Sequence, residues 1–212
     1  MEKTIVPSII ADSQRELNKR VIKVKDCSNW LQLDIMDGNF VKNKSLMFDF
    51  RLPKTKCKYE AHLMIKDPEL WTKKNWKKIS AIIFHIEACK NKEEVKYLIE
   101  LIKNKKRKVG IALNPKTNIM KIKPFLTKID MVLIMGVYPG KYGAEFLPFT
   151  LNKIAELRKL SPVIKIEIDG GISPKTISNA SRAGADRFVS GSFLQESKNP
   201  SEAIKQLERI VR

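Results

Sequence analysis

Short apolar runs alternate with longer amphipathic segments from one end of the chain to the other. Eight runs read as strands: 5–10, 30–35, 59–64, 81–86, 109–113, 131–136, 165–168 and 187–190. Between them, apolar residues recur at helical spacing. Leu17, Val21 and Val24 form one stripe, Val95, Leu98, Leu101 and Ile102 a second, and Ile154, Leu157 and Leu160 a third. Helix starts fit the same parse. Asp12 or Ser13 is placed to cap the first helix, with Glu16 three residues after Ser13 as a capping box requires. Asp67-Pro68 pairs a cap with proline at the first helical position, and Ser173-Pro174 repeats that signal before the seventh helix.

Strand and helix in regular alternation imply a parallel sheet covered by helices. Strands buried on both faces read as continuous apolar runs, as Ile82-Ile83-Phe84 and Val132-Leu133-Ile134 do. Eight units of roughly 26 residues each favour a closed single-domain (β/α)8 TIM barrel over 1–212. The open alternative usually carries a glycine-rich turn after its first strand. Here Pro7-Ser8-Ile9-Ile10-Ala11-Asp12 has no glycine.

Composition narrows the class. No run of 18 apolar residues occurs, so no membrane span is expected. The first seven residues do not read as a signal peptide. Cys27, Cys57 and Cys89 form no CxxC pair, which fits reduced thiols and a cytoplasmic protein better than a disulfide framework. The net charge of +18 draws anions. Its lysines are spread along helical segments, at Lys73-Lys74, Lys77-Lys78 and from Lys103 to Lys108, without an aromatic-rich basic strand. A phosphorylated small molecule therefore fits better than nucleic acid.

In a barrel, chemistry sits at the C-terminal ends of strands. Gln32, Asp34 and Met36 alternate along the second run and so share a side. His62 and Met64 share the spacing on the third, His85 and Glu87 close the fourth, and Asp169-Gly170-Gly171 ends the seventh. A lone acid in an apolar run is more often structural, satisfied by a partner. Two of them, Asp34 and Asp169, on different strands with His62 between, point to acid/base transfer on opposite faces of a carbon. Glycines cluster at three consecutive strand ends: Gly140 and Gly143, Gly170 and Gly171, and Gly191 before Ser192. Each alone reads as a turn glycine. Together they favour a phosphate cradle of backbone N–H groups.

With these residues in place, the chain resembles the ribulose-phosphate 3-epimerase family. The resemblance runs through Val6-Pro7-Ser8-Ile9, Leu33-Asp34-Ile35-Met36-Asp37-Gly38-Asn39-Phe40-Val41, Ala61-His62-Leu63-Met64 and Phe84-His85-Ile86-Glu87-Ala88. It continues in order through Gly110-Ile111-Ala112-Leu113-Asn114-Pro115, Pro139-Gly140 and Glu167-Ile168-Asp169-Gly170-Gly171-Ile172. It implies interconversion of D-ribulose 5-phosphate and D-xylulose 5-phosphate at carbon 3, with Asp34 and Asp169 as the two acid/base groups. Ser8, Met36, Met64 and His62 would contact substrate, and Gly143, Gly170, Gly171, Gly191 and Ser192 its phosphate. A divalent metal (zinc, iron or manganese) would be held by Asp34, His62 and Asp169, and a homo-oligomer is expected.

The family's fourth metal ligand, a histidine, falls on Gln32. A neutral carboxamide oxygen is a poorer ligand than imidazole, so weaker metal binding is expected. The phosphate loop also departs, reading Tyr138-Pro139-Gly140-Lys141-Tyr142-Gly143-Ala144. Lys42 and Lys141 add positive charge near the expected pocket mouth, either as phosphate partners or as solvated surface lysines. Two alternatives stay open: an enzyme for another ketose phosphate, and a non-catalytic phosphate-binding barrel that lost its metal through Gln32. A lysine-bearing Asp-x-Lys-x-x-Asp pattern, as in hexulose-phosphate synthases and decarboxylases, is absent at Asp34-Ile35-Met36-Asp37-Gly38.

Overall fold

The computed structural model describes residues 3–140 and 143–212. Eight parallel strands close on themselves. They are β1 (Thr4–Ile9), β2 (Trp30–Asp37), β4 (Lys58–Met64), β5 (Ala81–His85), β6 (Lys108–Leu113), β7 (Met131–Met135), β8 (Lys165–Asp169) and β9 (Arg187–Ser190). A two-residue strand, β3 (Lys44–Ser45), pairs antiparallel to the end of β2. Pairing of β1 with both β9 and β2 closes the ring. Every expected run is a strand, with ends shifted by no more than two residues.

Two apolar layers result. The larger cluster lies between sheet and helices and takes the odd-numbered residues of β2, Leu31, Leu33 and Ile35. A smaller one, including Ala81, Ile83, Ala112, Leu133 and Met135, fills part of the interior. The even residues of β2 therefore point inward, toward the polar centre.

The first helix, α1 (Gln14–Val24), buries Leu17, Val21 and Val24, each worth roughly 1.5–3 kcal/mol on removal from water. Ser13 accepts from the Glu16 N–H, while the Glu16 carboxylate turns to the Asp12 N–H. Asp67 caps α2 (Pro68–Asn75) as expected. The stripes of α3 (Lys92–Asn104) and α4 (Thr150–Leu160) are buried except at Leu101 and Leu160, which are half-buried at the edge of the core. Completing the outer layer are α5 (Ile177–Ala183), α6 (Ser192–Glu196) and α7 (Pro200–Val211). None of the described helices is long and apolar enough to cross a membrane.

The alternation is less regular than the sequence suggests. No helix separates β3 from β4. Leu46 and Phe50 cover that wall from an irregular segment that also contains Pro53. Between β6 and β7 stand two 3-10 turns, Ile119–Lys121 and Lys123–Lys128. Ile119, Ile122 and Phe125 are buried at a spacing of three, which suits three residues per turn, and Pro124 removes an α-helical donor. Ser173-Pro174 opens a turn rather than α5 itself. The Thr176 hydroxyl accepts from the Ser173 N–H, and the helix begins at Ile177.

Candidate active site

One pocket opens at the C-terminal mouth of the barrel. Its lining contains Ser8, Asp34, Met36, Met64 and Asp169 together with Gly143, Gly170, Gly171, Gly191 and Ser192. Every residue expected to touch substrate or phosphate is thus in one place, except His62. His62 and Gln32 lie beneath the floor, fully buried. Met135, Val137, Ile10 and Ile172 also line the pocket and were missed. Met135 sits in a run where inward and outward residues are both apolar, so nothing in the sequence contrasts it.

The loops are shaped by short-range contacts. Gly170 (φ +104°) and Gly171 (φ +68°) adopt left-handed backbone, and a Cβ on Gly171 would come within 2.8 Å of Phe146 Cβ. Neither position tolerates a side chain without displacing a neighbouring loop. The Asn43 side-chain amide donates to the Gly140 carbonyl and joins the loop after β2 to the loop after β7. Lys42 is exposed and does not line the pocket, which favours the solvated reading for it. Lys141 lies outside the described residues. Asp37 accepts from the N–H groups of Asn39, Phe40 and Lys66. Burial pushes its carboxyl up, but these bonds outweigh burial and hold it below the usual carboxylate range.

The register places Asp34 beside His62 on the adjacent strand. One amide nitrogen, Gln32 Nε2, donates to Asp34 Oδ1 at 2.8 Å and to Asp169 Oδ2 at 2.7 Å. His62 Nδ1 lies 3.0 Å from Asp169 Oδ2 and 3.4 Å from Asp34 Oδ1. Burial alone would push His62 down; its bonds to Asp169 and Asp34 outweigh burial and raise it to about 10. Burial, then the Asp34 carboxylate, push Asp169 up. The cluster therefore calls for positive charge between two acids.

That demand is a fit test for a metal. Asp34, His62 and Asp169 offer ligand atoms within 4.8 Å of one another. Gln32 Oε1 is buried without a hydrogen-bond partner. Rotating the amide would turn this oxygen toward the carboxylates, where only a cation could keep it. The donor set fits a divalent ion with three firm ligands and one weak one.

Behind His62 stands a second pair. His62 Nε2 and His85 Nε2 are 2.9 Å apart, and His85 Nδ1 lies 3.2 Å from Glu87 Oε2. Burial lowers His85. Burial would raise Glu87, but the hydrogen bond from His85, with donors from Thr117 and Asn114, outweighs it and holds Glu87 at about 2.

A closed ring of parallel strands with two carboxylates and a histidine gathered toward its C-terminal mouth defines a protein of the (β/α)8 barrel class. Among solved structures of that fold, a 3-hexulose-6-phosphate synthase matches with a TM-score of 0.73 at 15% identity, covering 99% of this chain and all of that one. KGPDC from Streptococcus mutans matches with 0.75 at 14% identity, over 99% of this chain and 97% of that one. These likenesses show the fold. Sequence goes further: the pattern of the ribulose-phosphate 3 epimerase family matches residues 4–195. The ribulose-phosphate 3-epimerase of Schizosaccharomyces pombe is 37% identical over 98% of this chain and 93% of its own length. The cytoplasmic isoform of Oryza sativa is 33% identical over the same shares, and the Mycobacterium leprae protein is 34% identical over 97% and 93%. The chain belongs to the ribulose-phosphate 3-epimerase family.

Proposed function

We propose that the chain interconverts D-ribulose 5-phosphate and D-xylulose 5-phosphate by passing the carbon 3 proton between Asp34 and Asp169. The observation that carries this reading is the buried carboxylate pair, held together by one amide nitrogen at 2.8 and 2.7 Å. Asp169, pushed up by burial and by Asp34, is assigned the proton at the start of the reaction. Asp34 then removes the carbon 3 proton from one face, and Asp169 returns one to the other. Exchanging the roles runs the reaction backward.

The remaining lining supports these steps. Gly143, Gly170, Gly171, Gly191 and Ser192 receive the phosphate, fixing carbon 3 between the acids. Ser8 orients the sugar. Met36, Met64 and Met135 surround the carbon with side chains that have no exchangeable proton, so proton transfer falls to Asp34 and Asp169. A divalent ion (zinc, iron or manganese) at Asp34, His62 and Asp169, with Gln32 as a weak fourth partner, would supply positive charge beside the enediolate oxygens. A homo-oligomer and a cytoplasmic location complete the reading; sedimentation and fractionation test them.

Turnover of D-ribulose 5-phosphate in heavy water, followed by NMR, tests the central claim. Wild type should incorporate deuterium at carbon 3. Asp34→Asn and Asp169→Asn should each slow exchange by at least about a hundredfold. Wild-type exchange in either variant would remove that carboxylate from the mechanism. Faster turnover of a different ketose phosphate would reassign the substrate.

A further inference from the structure

His85, fully buried, and Glu87, half-buried, are titratable groups that the proton transfer does not use. We propose that they are positioning residues: a Glu87–His85–His62 relay that fixes which nitrogen of His62 carries hydrogen and turns its Nδ1 toward the two acids. The proposal rests on the epimerase site described above.

The relay follows from hydrogen-bond polarity. Glu87 Oε1 accepts from the Asn114 N–H at 2.9 Å and from the Thr117 hydroxyl. Its Oε2 faces His85 Nδ1 at 3.2 Å, so Nδ1 carries the hydrogen. Between His85 Nε2 and His62 Nε2, 2.9 Å apart, there is room for one hydrogen only. The rings are tilted by just 21° with centroids 5.0 Å apart, so they meet nitrogen to nitrogen. His85 is fully buried, and a second hydrogen would leave it charged there. The shared hydrogen therefore belongs to His62 Nε2. That leaves His62 Nδ1 as the atom presented to Asp34 and Asp169, 3.4 and 3.0 Å away. Partners behind a ligating histidine set its tautomer and orientation in this manner.

The far end of the relay is itself anchored. Lys153, on α4, donates to the carbonyls of Asn114 at 2.7 Å and Pro115 at 3.2 Å, holding the loop that grips Glu87. The Phe40 ring packs at 4.9 Å from His85 and covers it. Residues from separate segments thus converge on a single hydrogen position.

Glu87→Gln is the informative variant. The Asn114 and Thr117 donors hold the amide oxygen at the Oε1 position, so the new NH2 faces His85 Nδ1. Two donors then oppose each other unless His85 moves its hydrogen to Nε2, which reverses the polarity at His62. The chain has two histidines, so 15N-histidine labelling reports only these two rings. In metal-free wild type we expect His85 to show Nδ1–H with Nε2 bare, and His62 to show Nε2–H. Glu87→Gln should lose the His85 Nδ1–H pattern. It should also weaken zinc binding, measured by chelator competition, about 10- to 100-fold. A similar fall in kcat with little change in KM should follow, because substrate contacts stay intact. A bare His85 Nδ1 in wild type, or an unchanged pattern in the variant, would overturn the relay. The NMR result stands apart from turnover. A wild type that shows the expected pattern but leaves pentose phosphates unchanged would sink the substrate assignment and keep the relay.

Discussion

Position 32 shows how one side chain can alter a site without removing it. Gln32 Nε2 spends both hydrogens on Asp34 and Asp169. It thereby does part of what a cation would do between two acids, at the cost of an orphaned Oε1. A neutral imidazole in its place has one N–H at most and a lone pair to offer a metal. Gln32→His should therefore retain divalent metal through dialysis where the wild type loses it, with affinity higher by about tenfold or more. Elemental analysis of both dialysed proteins, with chelator competition, reads this directly. Equal content and equal affinity would show that Gln32 already serves as a ligand of full strength.

At the scale of elements, the strands carry chemistry at both ends. Near the N-terminal end of the barrel, Arg187 on β9 lies between Glu60 on β4 and Glu167 on β8, with the Arg187 to Glu167 contact at 2.5 Å. Burial, then Glu167, push Glu60 up to about 8 despite Arg187. A carboxyl raised on folding favours the folded state fully below its unfolded value, near 4.5. That contribution is lost as pH rises toward 8, with a slope of at most roughly 1.4 kcal/mol per pH unit. Glu60→Gln mimics the protonated form, so its stability should vary less with pH. The variant should gain on wild type between pH 5 and 8 in urea melts; parallel pH profiles would place the proton elsewhere. The strands themselves were legible because continuous apolar runs are what two-sided burial demands. The covers over β2 and β6 were not, because an irregular segment or a 3-10 turn buries Phe50 or Phe125 as well as a helix does. Likewise Asp34 and Asp169 stood out as acids in apolar runs. The roles of His85 and Glu87 emerge only when strand pairing sets their rings and carboxylate in line behind His62.

Across the whole molecule, 41 basic residues against 23 acidic ones leave a charge of +18, while the buried centre is acidic. Helix-borne lysines such as Lys73 and Lys74 and exposed ones such as Lys42 surround the barrel without lining the pocket. Their route to the reaction is therefore the field rather than contact. A doubly charged sugar phosphate approaching the mouth should be drawn in by that field, and its release as an equally charged product should be little affected relative to chemistry. Raising sodium chloride from about 0.01 to 0.15 M shortens the screening length from roughly 30 to 8 Å. We therefore expect kcat/KM to fall several-fold over that range, mainly through KM, with kcat nearly flat. The lysines differ in this from the pocket glycines, which under the proposed reading meet the phosphate through backbone N–H groups at short range and would be screened far less. A Gly171→Ala variant should lower kcat/KM at every salt concentration and leave its slope against salt unchanged. Replacing Lys73, Lys74, Lys77 and Lys78 with glutamine should flatten the slope and leave the high-salt rate as it was. If the salt slope of that quadruple variant matched wild type, the field reaching the pocket would have to come from lysines nearer its mouth.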